Sequence, residues 1–290
     1  VCSGPSSSLK VELDAHEIVR PEEIFFGEHL GAGGSGSVYR GTFRGAEVAV
    51  KRLHADPASG PRLLEELWRE VDSLRFLRHP RLVRFYGACI VPPTLCVLTE
   101  FMRGGSLYDL LHVRHMRLHW MQQRQLAGQI AEAIAFLHGH TPPVVHRDVK
   151  SMNVLLDMTL NAKLCDFGLT MPMQADKTHI TRKNGGESGS PRYMAPEFFI
   201  DAAKITEKID VWALGCVLIE TFGGPLPFHD CESISKICAR LCVQRIGPTV
   251  PPTFPQALQS VLHLCLEFEP PRRCPARDAH AWLMRLPCAT

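Results

Sequence analysis

The sequence predicts an α+β fold, with strands first and helices after. Strand-length apolar segments fill much of the first hundred residues: Ser37 to Phe43, Glu47 to Lys51, Leu82 to Ile90 and Leu95 to Phe101. One amphipathic helix, about residues 62–78, interrupts them, with Leu63, Leu67, Val71 and Leu74 at helical spacing. From Ser106 onward helical spacing takes over, first at 106–111, then at 119–138 and 206–222, then in shorter helices to about 286. Strands and helices segregated in this way define the α+β class.

Size and charge narrow the function. The 290 residues are 45% hydrophobic and 21% charged, enough for one large domain or two lobes. A net charge of +2 gives no reason to expect a nucleic acid or an acidic membrane as partner. The 11 cysteines are scattered, without a C-x-x-C pair. They read as reduced thiols in a cytosol-like compartment, not as a disulfide frame or zinc site. No run of 18 apolar residues is present, so no transmembrane helix is expected. The chain opens at Val1 without Met and reads as an excised domain. Residues 1–8 read as a flexible lead-in and 9–23 as a short arm entering the domain.

Leu30-Gly31-Ala32-Gly33-Gly34-Ser35-Gly36-Ser37-Val38 contains G-x-G-x-x-G. Glycines let a backbone close over phosphates and donate N–H groups to them. Dinucleotide-binding folds carry the same spacing, but there the loop opens a helix. Here two strand segments follow, joined at Gly45, which suits a β-hairpin over a nucleotide; a plain Gly/Ser hairpin is the bland alternative. The second strand, Val48-Ala49-Val50-Lys51, projects its lysine to one face. The helix after it starts at Gly60-Pro61, stops at His79-Pro80, and carries Glu66 and Glu70 on one face. Pro92-Pro93 marks the turn between the next two strands, and Ser106 suits a helix cap.

The densest chemistry lies in His146-Arg147-Asp148-Val149-Lys150-Ser151-Met152-Asn153, which sets an acid, a cation and an amide within eight residues. That set suits phosphoryl transfer, where the protein positions reactants and neutralises charge. Asp148 would orient a hydroxyl and accept its proton, Lys150 would steady the phosphoryl group, and Asn153 would offer an amide oxygen to Mg²⁺. A short hairpin, 154–156 and 162–165, then delivers Asp166-Phe167-Gly168. Residues 169–195 are long and polar and lead into Ala195-Pro196-Glu197.

In this order the motifs resemble those of protein kinases. The resemblance covers about residues 24–286, and it implies two lobes: a small one (24–101) with an antiparallel sheet and one main helix, and a mainly helical large one (106–286), joined by a hinge at 99–105. Residues 287–290 are left as a tail. The resemblance implies ATP and Mg²⁺ as cofactors. Gly31, Gly33, Gly36, Val38, Ala49, Lys51, Thr99, Glu100 and Met102 would bind the nucleotide, Thr99 as gatekeeper and Glu100 and Met102 through their backbones. Glu70, in the pattern E-V-x-x-L, would pair with Lys51, leaving Glu66 on a solvated face. Asp148, Lys150, Lys51 and Glu70 form the catalytic set, and Asn153 and Asp166 hold the metal. Asp210 would bond the backbone of the 146–153 loop, and Arg273 would pair with Glu197. Two departures stand out: Val149 where the family writes Leu, and Cys274 where it usually has Pro.

Lys150 and the Gly189-Ser190 to Glu197 close favour serine and threonine of a protein substrate as acceptors, with dual specificity open. The segment His79 to Cys89 resembles the tyrosine-kinase-like group, of Raf and mixed-lineage type. An upstream kinase acting on Thr178, Thr181 or Ser188 would order the 169–195 segment through Arg147. Location is expected to be cytoplasmic. Two rivals remain. A pseudokinase scaffold usually lacks Lys51, Asp148 or Asp166, and all three are present. A small-molecule phosphotransferase of similar fold would not need so long a segment before Ala195-Pro196-Glu197.

Overall fold

Period-two burial along consecutive segments builds the first sheet. The computed structural model describes residues 13–33, 36–53, 60–173, 190–200 and 203–287, with backbone only at 60–63 and 66. The chain divides into two units, Val1–Phe76 with Arg84–Phe101, and Leu77–Val83 with Met102–Thr290.

Unit one holds strands β1 (Ile24–Gly33), β2 (Gly36–Phe43), β3 (Ala46–Leu53), β4 (Phe85–Val91) and β5 (Thr94–Glu100), and helix α1 (Gly60–Phe76). The sheet is antiparallel in the order β1-β2-β3-β5-β4. Val48, Val50, Leu98, Cys96 and Cys89 point to one face and form a core with Val19, Ile24 and Phe43. Alternation then sends Ala49, Lys51 and Thr99 to the other face. α1 buries Leu67, Val71 and Leu74 and packs on β4 and β5.

Two differences from expectation have physical reasons. β1 was not legible as a strand: its glycines and its exposed Phe25 and Phe26 break the apolar alternation that marks one. Residues 13–19, expected as part of an arm, pack into unit one. Val19 is buried, Ile18 bridges Ala88, and Arg75 Nη2 donates to Asp14 Oδ2 at 3.1 Å. Gly87 makes this approach fit, since an added Cβ would lie 2.6 Å from the Glu17 carbonyl oxygen.

Unit two is built on α2 (Trp120–His138) and α3 (Lys208–Thr221). Every residue from Ile209 to Thr221 is buried, as expected of a helix apolar on all sides. α2 packs on α3, on β9 (Ala162–Leu164) and on α6 (Ala276–Met284), while α5 (Gln256–Cys265) packs on α3 and α6. Small pairings complete the unit: β6 (Gly105–Ser106) and β9 flank β8 (Val154–Leu156), and β7 (Val144–Val145) pairs with β10 (Met171–Pro172). α4 (Ile234–Cys238) is capped by Ser233, whose Oγ accepts the Lys236 N–H. Ser106 does cap a turn of helix: its Oγ accepts the Asp109 N–H at 3.0 Å and donates to Asp109 Oδ2 at 2.7 Å.

Arg273, fully buried, donates from all five of its N–H positions. It reaches Glu197 at 2.6 and 2.7 Å, Glu267 O at 2.6 Å, Lys208 O at 3.1 Å and Phe268 O at 3.3 Å, and its guanidinium lies over Trp212. The expected Arg273–Glu197 pair is therefore present. Removing one partner of a buried pair strands the other charge. Arg273→Met is expected to lower the unfolding free energy by about 3–5 kcal/mol, and adding Glu197→Leu to restore much of it. Urea midpoints of wild type, single and double variants check this; an unchanged midpoint in Arg273→Met would show that the pair does not anchor the segment.

Candidate active site

The loop between β7 and β8 has no repeating hydrogen bonds of its own, so other groups must fix it. Asp210, from the first turn of α3, accepts the N–H of His146 at 2.8 Å and of Arg147 at 2.9 Å. His138 donates to the same carboxylate at 3.0 Å. Burial pushes the Asp210 carboxyl up. The hydrogen bond and charge of His138, with the Arg147 N–H, outweigh this and hold it below the usual carboxylate value. Arg147 sits at φ 72°, in the left-handed region that a residue with a Cβ adopts only under such restraint. His146 is also fixed by its ring: Nε2 donates to Cys165 O at 3.0 Å and Nδ1 accepts the Asp148 N–H at 3.3 Å.

This places Asp148, buried, with its Oδ2 accepting Lys150 Nζ at 2.7 Å and Asn153 Nδ2 at 2.9 Å. Asn153 Nδ2 also donates to Asp148 O at 2.8 Å, so the amide nitrogen is committed to Asp148. The Asn153 carbonyl accepts the Cys165 N–H at 2.9 Å, which brings Asp166 one residue from a group bonded to Asn153. Asp166 is at φ 63°, a second left-handed residue with a Cβ. Phe167 is buried with its ring edge-on to His146 at 5.2 Å. Asp148, Lys150, Asn153 and Asp166 are thus gathered in one loop pair of unit two. Two hard oxygen-bearing side chains, Asn153 and Asp166, fit a Mg²⁺ ion by their chemistry.

Unit one carries the remaining expected residues except Met102. Lys51 Nζ meets both Glu70 carboxylate oxygens at 3.0 Å. In register, Val38 opposes Lys51 and Ala49 opposes Thr99, so Val38, Ala49, Lys51 and Thr99 share the sheet face opposite the core. At Gly31 and Gly33 an added Cβ would meet nothing within 4 Å, so these glycines leave open space above the backbone. Gly36 is different: a Cβ there would overlap the Arg52 carbonyl. Glu100 N–H donates to Arg84 O at 2.8 Å, so that donor is committed within the unit. Met102, in unit two, accepts the Gly105 N–H at 3.2 Å.

Sequence reasoning missed a buried polar chain. Tyr193 OH lies 3.0 Å from Ser151 Oγ, which donates to Glu220 Oε2 at 2.8 Å; His112 Nε2 donates to the same oxygen at 2.7 Å. Burial, with Glu220 beside it, pushes the Tyr193 phenol far above its usual value. An acid inside the apolar run Val217-Leu218-Ile219-Glu220 was the available signal, because a buried carboxylate must find donors. Ser190 lines a small cavity of about 10 Å³ together with Asp148 and Arg147. Cys165 is half-buried. Thr178, Thr181 and Ser188 lie outside the described residues, as does the side chain of Glu66.

The family model "Protein kinase domain" matches residues 25–283. A probable serine/threonine-protein kinase of Dictyostelium discoideum is 36% identical over 251 residues, 87% of this chain and 26% of that protein. The dual specificity protein kinase shkC of the same organism is 34% identical over 268 residues, 92% and 52% of the two chains. A probable serine/threonine-protein kinase of Arabidopsis thaliana is 34% identical over 265 residues, 91% and 25%. The chain spans from about a quarter to a half of the length of these relatives.

The Asp210 linkage gives a pH test. A carboxyl whose folded value is depressed adds stability above its unfolded value, about 3.8, and loses it as the pH falls through the folded value. The stability gap between wild type and Asp210→Asn is therefore expected to be widest near neutral pH and to close below about pH 4. Urea midpoints from about pH 7 to about pH 3 measure it; a gap that stays constant to the lowest pH would mean that folding does not depress the Asp210 carboxyl.

Proposed function

The chain belongs to the protein kinase domain family, and from that premise we propose that it transfers the terminal phosphoryl group of ATP to serine and threonine hydroxyls of a protein substrate. The observation that carries this reading is the Asp148 carboxylate, held between Lys150 and Asn153 on a loop that Asp210 fixes. Asp148 orients the acceptor hydroxyl and takes its proton as the oxygen attacks. Lys150, 2.7 Å from Asp148, offsets charge on the phosphoryl group in flight. Lys51, held by Glu70, engages the α- and β-phosphates. Gly31, Gly33 and Gly36 let the β1 and β2 backbones approach the phosphates, and Val38 and Ala49 give the nucleotide base an apolar contact beside Thr99. The backbones of Glu100 and Met102 meet the base edge. Asn153 and Asp166 would hold Mg²⁺, which when bound neutralises charge on the phosphate oxygens.

Lys150 and Ser190 support Ser/Thr acceptors, and the dual specificity relative keeps tyrosine open. The His79 to Cys89 segment supports placement in the tyrosine-kinase-like group, within a domain of about residues 24–286. We place the domain in the cytoplasm, which the free thiols of its described cysteines suit. Among the described residues no helix is long and apolar enough to cross a membrane. An upstream kinase acting on Thr178, Thr181 or Ser188 completes the proposal, with Arg147 as the cation that answers the phosphate.

Radiolabelled phosphate transfer from Mg²⁺-ATP to a generic basic protein tests this. Asp148→Asn is expected to lower turnover by about 10²–10⁴ with ATP affinity nearly kept; wild-type turnover in that variant would sink the assignment. Lys51→Met is expected to abolish transfer while the domain stays folded by circular dichroism. ATP binding without transfer in the dephosphorylated and phosphorylated wild type alike would leave a binding scaffold as the better reading.

A further inference from the structure

The cysteines look unrelated along the chain, yet the fold brings two of them together. Cys265 closes α5, and Cys274 follows Arg273 just before α6. Their sulfurs are 3.7 Å apart. The Cys274 N–H also donates to Leu264 O at 3.2 Å, so the two backbones already run side by side. A disulfide bond is about 2.05 Å long, so the sulfurs need approach by less than about 2 Å. We propose that Cys265 and Cys274 form a redox pair, which a hydroperoxide such as hydrogen peroxide converts into a disulfide stapling α5 to the turn that carries Arg273.

The two thiols have unequal parts. Cys265 is 0% exposed and Cys274 is 5% exposed, so Cys274 meets the oxidant first. The hydrogen bond from Cys265 holds the Cys274 thiol below its usual value, while the same contact and burial push Cys265 well above it. The Cys274 thiolate attacks one peroxide oxygen, and the O–O bond breaks. The hydroxide released takes up the proton that Cys274 gave, forming water, and Cys274 is left as a sulfenic acid. The Cys265 sulfur then attacks the Cys274 sulfur. The S–O bond breaks, and the hydroxyl leaves as a second water with the Cys265 proton. Two thiols lose two electrons in all, and one peroxide gains them.

The staple would close a short ring around Arg273, whose guanidinium anchors Glu197. Its formation does not depend on the kinase reading. The test is a peptide map of the whole chain after hydrogen peroxide, with remaining thiols alkylated under denaturing conditions. Trypsin cuts at Arg272 and Arg273, so the two cysteines fall on separate peptides unless a bond joins them. The expected result is a joined Cys265–Cys274 species, two hydrogens lighter than the sum and split by dithiothreitol. With it goes a rise in Tm of about 5 °C that dithiothreitol reverses and Cys274→Ser lacks. Should Cys274→Ser fail to fold, Cys265→Ala takes its place, and the wild-type map decides without either. Both cysteines recovered as alkylated thiols while others are oxidised would overturn the proposal, and so would Cys274 as a sulfinic acid with Cys265 still alkylated.

Discussion

A carboxylate with no access to water, Asp210, sets the terms for the rest of unit two. Its burial is costly unless donors reach it, and the donors it finds are two N–H groups of an irregular loop and one histidine. The dependence runs both ways. The loop cannot satisfy those N–H groups itself, and Arg147 takes a left-handed φ while its N–H is held by the carboxylate. Asp148 stands next in sequence, so its place follows from the same restraint. α3 supplies a second anchor, Glu220, ten residues beyond Asp210 and therefore about 15 Å further along the helix axis. Ser151, five residues after His146, donates its hydroxyl to Glu220. The loop is thus tied to α3 at both ends, with Asp148 and Lys150 between the ties.

Charge enters the interior of this unit where irregular backbone must be joined to a helix. Arg273 and Glu197 follow the same rule: Arg273 bonds carbonyls at 208, 267 and 268, while Glu197 belongs to the turn that closes the 190–197 segment. Apolar residues of similar volume would give comparable stability at such sites. What they would not give is direction, since only hydrogen-bonding groups specify which atom of an irregular segment sits where. Tyr193 illustrates the gain. Its phenol, kept protonated by burial, meets Ser151 and so joins the 190–197 segment to the loop that carries Asp148.

What could be read from the sequence divides along the same line. His146 to Asn153 was legible because its functional groups are contiguous. Lys51 was legible because the strand period fixes its face, and Glu70 because the E-V-x-x-L pattern of the resemblance singled it out from Glu66 on the same helix face. β1 was not, because glycine and exposed phenylalanine erase the period on which strand reading depends. The Ser151, Tyr193, Glu220 and His112 chain was also hidden, since it joins four segments far apart in sequence and no spacing rule connects them. The approach of Cys265 and Cys274 was hidden as well, because spacing along the chain does not report which sulfurs the fold brings together.

The two units hold their functional groups by different physics, and the difference decides how each tolerates change. In unit one the pleat does the positioning. Val48 and Val50 are buried at 0% exposure on the core face, so Ala49 and Lys51 must face the other way. A slip of β3 by one residue would bury Lys51 and expose both valines. Hydrophobic burial of the two valines therefore protects the register, and the Lys51–Glu70 pair follows from it. Many core substitutions of similar size preserve such an arrangement. In unit two the positions rest on a few carboxylates with committed partners, and an apolar exchange at Asp210 or Glu220 offers the loop no donor or acceptor in return. Lys51 thus stands on a broad and redundant support, Asp148 on a narrow and specific one.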